Sequence, residues 1–466
     1  MAFQEDTVPC LNVKHLYGDN LKMKERFVLL KETFHKKYGH FPSFFARAPG
    51  RVNIIGEHID YCGYGVFPMA LEQDIVFAGS TNDTTLYRMS NTNQIFNDFE
   101  TDIKNFSIDG HQWYDYVLCG HKAILSEGHV TTPVGMNVLV DGIVPKSAGL
   151  SSSSALVCCS GLASMKANNI VLDKLSLAES CTRCEKYVGT ESGGMDQAIS
   201  FLAKSGTAKL IEFNPLKATD VQLPDGATFV IANSLRDMSK AENAGEYYNM
   251  RVAECRIAAQ ILSNKFNFNW RNTRRLVDTQ NVLNKTLEEM LDIVEKVFHK
   301  EPYSRNEICQ LLNITDEELI KECLNPTTIH AQSFKLYNRA KHVYSESNRV
   351  LLFKKICEQQ NKDSLKLLGN LMNESQTSCA VDYECSCVEL DILTQICREA
   401  GAFGSRLTGA GWGGCSVSLV SSEKVEEFIE VVRSKFYEID EFRRTKVADA
   451  LFATKPGCGA AIIDLE

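Results

Sequence analysis

Asp196 stands in Gly193-Gly194-Met195-Asp196-Gln197, and a carboxylate in that setting has two uses. Taken alone it caps a helix, its oxygens accepting from the orphan N–H groups of a first turn. Beside an arginine it could instead stay ionised when buried, because the cation offsets desolvation. Such a carboxylate takes the proton of an attacking hydroxyl in phosphoryl transfer while the cation steadies the transferred charge. The stretch Pro145 to Ala155 supplies the matching anion site: Gly149-Leu150-Ser151-Ser152-Ser153-Ser154 runs straight into an apolar segment rich in small residues, Leu156 to Met165. A glycine-serine turn at a helix start points backbone N–H groups and hydroxyls outward at the positive end of the helix dipole.

Two further segments crowd functional side chains around turn residues. In Arg47-Ala-Pro49-Gly50-Arg51-Val52-Asn53-Ile-Ile-Gly56-Glu57-His58-Ile59-Asp60-Tyr61, apolar Val52, Ile54 and Ile55 anchor a strand. Glu57, His58 and Asp60 then fall in the turn that follows, and could accept from adjacent hydroxyls of a small polyol. A solvated turn with surface ion pairs is the plainer alternative. Ser405 to Cys415 holds Gly409, Gly411, Gly413 and Gly414, too many for an interior helix or strand. It must loop tightly, either close to a nucleotide or only to pack two segments together. The chain has no Gly-x-x-x-x-Gly-Lys-Ser/Thr, no His-Arg-Asp and no Gly-x-Gly-x-x-Gly opening a βαβ unit.

The elements that must carry these residues follow from periodicity and punctuation. Leu21 to Tyr38 is an amphipathic helix stopped by Gly39. Phe44–Pro49, Val52–Ile55, Ile75–Gly79 and Met136–Val140 are strand-like, two helices fill 151–185, and Leu210–Phe213 and Ala227–Ala232 resume strand character. From about 247 to 372 the pattern is helical, with capping boxes Ser304…Glu307 and Thr315…Glu318 marking two starts. The last hundred residues alternate again, with strands at 416–420 and 460–464 around a helix at 423–436. The class is α+β, with a change of domain between 215 and 245 and no internal repeat.

A chain of 466 residues with 44% apolar side chains buries a large core and divides into more than one domain. Its net charge of −9, with no long basic run, argues against nucleic-acid or membrane partners, so an anion must be held by a local pocket. The first residues lack a secretory profile, which places the chain in the cytosol. Seventeen cysteines read as reduced, packed thiols, and Cys181 and Cys184 as one helix face rather than a zinc half-site.

In this order, the three glycine-containing segments resemble those of the GHMP small-molecule kinases, and Gly50 to Tyr61 resembles the galactokinase branch. Ile59, Cys62-Gly-Tyr64, the Gly149–Ala155 loop and Arg406–Cys415 are most similar to the N-acetylgalactosamine kinases within it. The resemblance covers nearly the whole chain. It implies ATP-dependent phosphorylation of the anomeric hydroxyl of N-acetylgalactosamine, galactose being a weaker substrate, with galactokinase proper as the alternative. A sugar- and ATP-sensing regulator without catalysis is the alternative of another class. It further implies Asp196 as base and Arg51 as the neighbouring cation, with Asn53, Glu57, His58, Asp60, Gly194 and Tyr248 around the sugar. Gly149, Leu150, Ser151, Ser152, Ser153 and Ser154 would hold the nucleotide, with Ser239 and Lys240 as further contacts. Mg²⁺ would sit on Ser151 or Ser152 and Glu185, the last less firmly, because Glu185 to Asp196 is shorter than in other galactokinases. The implied fold has an N-terminal mixed α/β domain (1–230) and a C-terminal ferredoxin-like α+β domain (231–466). A helical insert at about 250–372 belongs to the second, the site lies in the cleft between, and the chain is a monomer.

Overall fold

The computed structural model describes residues 6–110, 112–126, 130–189, 193–236 and 247–463. Its centre is the strand β2 (Phe44–Ile55), buried at every position. Sequence spacing predicts two strands here, Phe44–Pro49 and Val52–Ile55, separated at Gly50-Arg51. Instead one strand runs through and bulges, its register against β3 (Phe67–Asn82) slipping between Pro49 and Arg51 and again between Asn53 and Ile55. Proline has no N–H for the ladder, and a bulge leaves one residue unpaired and bends the strand. The freed Arg51 N–H donates to Leu150 O at 3.1 Å, so the irregularity ties the strand to the serine loop.

Around β2 lies a seven-stranded mixed sheet. Its other members are β1 (Cys10–Leu11), β4 (Leu86–Asn91), β5 (Phe99–Asp102), β6 (Gly135–Gly142) and the C-terminal β15 (Ala461–Ile463), in the order β1-β15-β2-β3-β6-β4-β5. A hairpin of β7 (Ala208–Glu212) and β8 (Lys217–Val221) packs beside β3. The helix Ser152–Ala167 lies on β2 and β3 and is apolar nearly all round, the pattern of a helix buried on every side. The helix Leu21–Tyr38 covers the opposite face with Phe27, Leu30 and Phe34, and ends at Gly39 in the left-handed conformation (φ 83°).

The second sheet is antiparallel, in the order β12-β13-β9-β14, from β9 (Ala227–Asn233), β12 (Gly404–Leu407), β13 (Cys415–Ser421) and β14 (Leu451–Thr454). The chain changes sheet between β8 and β9, and β15 brings its end back to the first sheet. Between β9 and β12 the described residues form helices joined by loops, apart from a two-residue bridge of β10 (Tyr303–Ser304) with β11 (Ser333–Phe334). Thr315 and Glu318 close a full capping box. At Ser304 only the hydroxyl half forms, because the Glu307 carboxylate turns to His299 Nε2 at 2.7 Å.

The fold is therefore α+β, with two large sheets, two two-stranded pairs and many helices. All seventeen cysteines are free, Cys181 and Cys184 among the buried ones. Among the described residues no three metal-capable side chains cluster, and no described helix is long and apolar enough to cross a membrane.

Candidate active site

Asp196 does not cap its helix. Gly194, at φ 98°, takes the N-cap of Met195–Leu202, and Asp196 falls in the first turn at the positive end of the dipole. Its side chain is 7% exposed. Arg51 Nε donates to Oδ1 at 2.8 Å, and Ser151 Oγ to Oδ2 at 2.5 Å. A buried carboxylate needs such donors. The Arg51 guanidinium also donates to Gly149 O, so one cation orients the candidate base and the loop opposite it.

Ser151 is the N-cap of Ser152–Ala167, held in the left-handed region (φ 59°, ψ 41°), and makes no side-chain cap bond. Serine normally gives its hydroxyl to the first turn; here that bond is forgone and the hydroxyl holds Asp196. The N–H groups of the first turn keep no intrahelical partner, the arrangement that favours a phosphate. Gly149 (φ 72°) and Gly409 (φ 84°) meet backbone to backbone: a Cβ on Gly409 would stand 2.5 Å from Gly149 O, and one on Gly149 2.5 Å from Thr408 O. The two glycine-rich segments thus touch as only glycine permits.

The polar turn after β2 divides. Asp60 Oδ2 accepts from Gly193 N at 3.1 Å, next to the cap of the Asp196 helix. Glu57, 1% exposed, turns inward to accept from Gly409 N–H, Asn53 Nδ2 and, at 3.4 Å, Arg406 Nη1. Burial pushes its carboxyl above the ordinary value, against the pull of Arg406 and Arg51. His58, at φ 62°, bonds Ala410 O and Tyr61 OH, each at 2.9 Å. The Tyr248 ring lies 5.5 Å from that of His58, and burial with the charges of Asp60 and Asp196 keeps its phenol protonated.

Two cavities flank this cluster. One, of about 860 Å³, is walled by Asp60, Tyr61, Cys62, Gly193, Gly194 and Val252, among others. The second, of about 570 Å³, is walled by Gly149 to Ser153, by Ala410, Gly411, Gly413 and Gly414, and by Phe96, Trp113 and Tyr116. Asp196 is tied to both walls: Gly194 of the first caps its helix, and Ser151 of the second donates to its carboxylate.

Three family models match the segments that meet here. The galactokinase galactose-binding signature matches residues 32–81, the GHMP kinase N-terminal domain 115–204 and the GHMP kinase C-terminal model 352–438. The chain is 44% identical to a galactokinase of Dictyostelium discoideum over 96% of both chains. The chain belongs to the galactokinase family. A galactokinase of Saccharomyces cerevisiae is 35% identical, with 95% of this chain and 96% of that one covered. In fold, the chain matches the Lactococcus lactis galactokinase solved with galactose at a TM-score of 0.73 and 24% identity, over 94% of this chain and 99% of that one. The Methanococcus jannaschii mevalonate kinase follows at 0.56 and 15%, over 89% and 98%.

Within this family member, an oxygen cluster lies behind Asp196. Ser154 Oγ donates to Glu185 Oε1 at 3.0 Å and approaches Asp196 Oδ2 at 3.4 Å, while Gln197 Nε2 donates to Glu185 Oε2. Carboxylates and hydroxyls are the donors a hard divalent cation prefers, so the group fits Mg²⁺ chemically. The hydroxyl that reaches Glu185 is that of Ser154; Ser152 lies in the wall of the second cavity. Ser239 and Lys240 lie outside the described residues.

Sequence reasoning missed the aromatic wall of the second cavity and Lys146, whose Nζ stands 3.5 Å from the Phe96 ring centroid. Phe96 and Trp113 lie in unrelated segments, and no spacing marks them as partners. It also missed Arg406, fully buried with its guanidinium on Ser375 Oγ, Asn53 O and Glu57. A lone arginine beside glycines gave the only hint.

Proposed function

We propose that this chain transfers the γ-phosphoryl group of ATP to the anomeric hydroxyl of a galactose-configured hexose, giving the α-1-phosphate and ADP. The tie of Asp196 to the walls of both cavities carries this reading. The sugar takes the larger cavity and ATP the smaller, its base against Phe96, Trp113 and Tyr116 and its phosphates on the Gly149–Ser153 loop. Asp196 accepts the proton of the C1 hydroxyl as that oxygen bonds to the γ-phosphorus and the bond to the β-phosphate oxygen breaks. Arg51 and the first turn of Ser152–Ala167 stabilise the charge developing on the transferred group. Glu185 and Ser154 would hold Mg²⁺, which would supply further positive charge at the phosphates.

Galactose is placed first because the relatives named above are galactokinases, which reverses the order expected from the local sequence motifs. N-acetylgalactosamine remains a second reading on one observation. Beside Asp60 and Gly193 the larger cavity is partly apolar, with Cys62, Phe213, Val252 and Leu324, and has room for an acetamido group. The test is incubation of the purified chain with ATP, Mg²⁺ and each sugar, alone and in competition. ADP release with galactose supports the reading, and no ADP with either sugar rejects it.

A further inference from the structure

Among the described residues that wall the smaller cavity there is no carboxylate and no arginine, and Lys146 is the one cation. In a chain with a net charge of −9, this makes the cavity an electropositive exception. The Lys146 ammonium lies 3.5 Å from the Phe96 ring centroid, so a π face and not an anion balances it. Burial alone moves its pKa, downward, and no carboxylate opposes that shift. The start of the helix Ser152–Ala167 opens on the same cavity, with first-turn N–H groups that keep no intrahelical partner. Two sources of positive potential therefore share a space whose wall holds no negative charge, and a ligand with several negative charges fits it.

We propose that Lys146 is the polyphosphate-binding cation of this cavity: its ammonium exchanges the Phe96 ring for phosphate oxygens when a nucleotide enters. The naming of ATP as that nucleotide rests on the kinase reading above; the preference for a polyphosphate rests on the cavity itself. Lys146 stands three residues before Gly149, on the stretch that leads into the phosphate loop. Its ammonium is a point charge on a flexible four-carbon stem, free to follow an anion where a fixed fork is not. A cation–π contact at a partly exposed ring is weaker than a charge-assisted hydrogen bond to phosphate, so an entering polyphosphate draws the ammonium away. The same movement uncovers the face of Phe96, whose ring centroid lies 5.8 Å from that of Trp113, for the base of the nucleotide. Lys146 thus selects nucleotides by their phosphates and leaves the base to the aromatic wall.

The experiment is calorimetric titration of the full chain with adenosine, ADP, ATP and inorganic tripolyphosphate, in Mg²⁺-free buffer, on the wild type, Lys146→Met and Lys146→Arg. Methionine keeps an apolar stem of similar length without the charge, and no ion pair is lost with it. Lys146→Met is expected to weaken ATP and tripolyphosphate about tenfold, the size of one charge-assisted hydrogen bond, and ADP by less, while adenosine stays within about twofold. Lys146→Arg restores the cation and should recover most of the loss. The gap between wild type and Lys146→Met should narrow as salt rises, because a partly exposed ion pair is screened. In turnover, the KM for ATP should rise about tenfold with kcat within about threefold. Adenosine weakened as much as ATP overturns the inference, since the lysine then serves the base. So does unchanged tripolyphosphate binding, and so does an equal loss of all four ligands that Lys146→Arg fails to relieve, which marks a merely structural role. If neither sugar is phosphorylated while Lys146→Met still loses tripolyphosphate, the kinase reading fails and this inference stands.

Discussion

Arg51 Nε lies 2.8 Å from Asp196 Oδ1 across 145 residues of sequence, and the same guanidinium reaches Gly149 O. The pair joins three segments: the bulged strand β2, the serine loop and the helix Met195–Leu202. Arg51→Lys keeps the charge but not the fork that spans both acceptors. We expect kcat to fall about 100-fold, with the KM values for sugar and ATP changing far less, checked by steady-state kinetics. Arg51→Ala leaves a buried carboxylate without its cation and should cost about 3–5 kcal/mol of stability by chemical denaturation.

Ser151 gives its hydroxyl to Asp196 rather than to its own helix. Ser151→Ala loses no cap bond but removes a donor from the buried Asp196 carboxylate, so it should cost about 1–3 kcal/mol of stability. Turnover should fall by about tenfold from loss of one donor to the base. Thermal denaturation and kcat on the same preparation separate the two effects.

The aromatic wall of the smaller cavity predicts a split in the opposite sense. Trp113 belongs to that wall and is partly exposed. Trp113→Ala should raise KM for ATP by about tenfold, as expected for lost stacking and apolar contact, and leave KM for the sugar unchanged. Initial rates at varied ATP and saturating sugar read this directly.

Acid sensitivity follows from groups away from the chemistry. Burial pulls His121 and His342 from 6.5 to about 4, so both fold in the neutral form. Between pH 6.5 and 4 the unfolded chain binds these protons and the folded chain does not, so stability is full above pH 6.5 and declines as pH falls through this window. Glu346, held down to about 2 by Arg349 and Arg406 against its burial, adds a loss that begins below pH 4.5. His342 Nε2 donates to Glu57 O at 3.1 Å, and His342→Gln can keep that bond without titrating. Its melting temperature should lie below wild type at pH 7 and fall less steeply between pH 6.5 and 4.5.

Much of this was legible where the signal was local. The helix Leu21–Tyr38 and its stop at Gly39 follow from periodicity and one glycine, and both helices after the serine loop stand where apolar density puts them. Asp196, Arg51 and Ser151 stand out because glycines and hydroxyls at helix starts are costly unless used. Partnerships set by distant backbone were not legible: the inward turn of Glu57 and His58 depends on Gly409 and Ala410, about 350 residues away, and no pattern near residue 57 encodes it. For the same reason Asp196 alone reads as a helix cap, a position that Gly194 takes instead. Short polar strands such as Leu86–Asn91 escape because they pair inside the sheet without the β-branched runs that announce a strand.

The central claim is that Asp196, tied to the walls of a sugar cavity and a nucleotide cavity, serves as the proton acceptor. Asp196→Asn preserves shape and most hydrogen bonding while removing the base. With galactose, ATP and Mg²⁺, its kcat should drop by about 10²- to 10⁴-fold, while calorimetry shows galactose and ADP still binding within a few-fold of wild type. Turnover close to wild type in that variant would contradict the account.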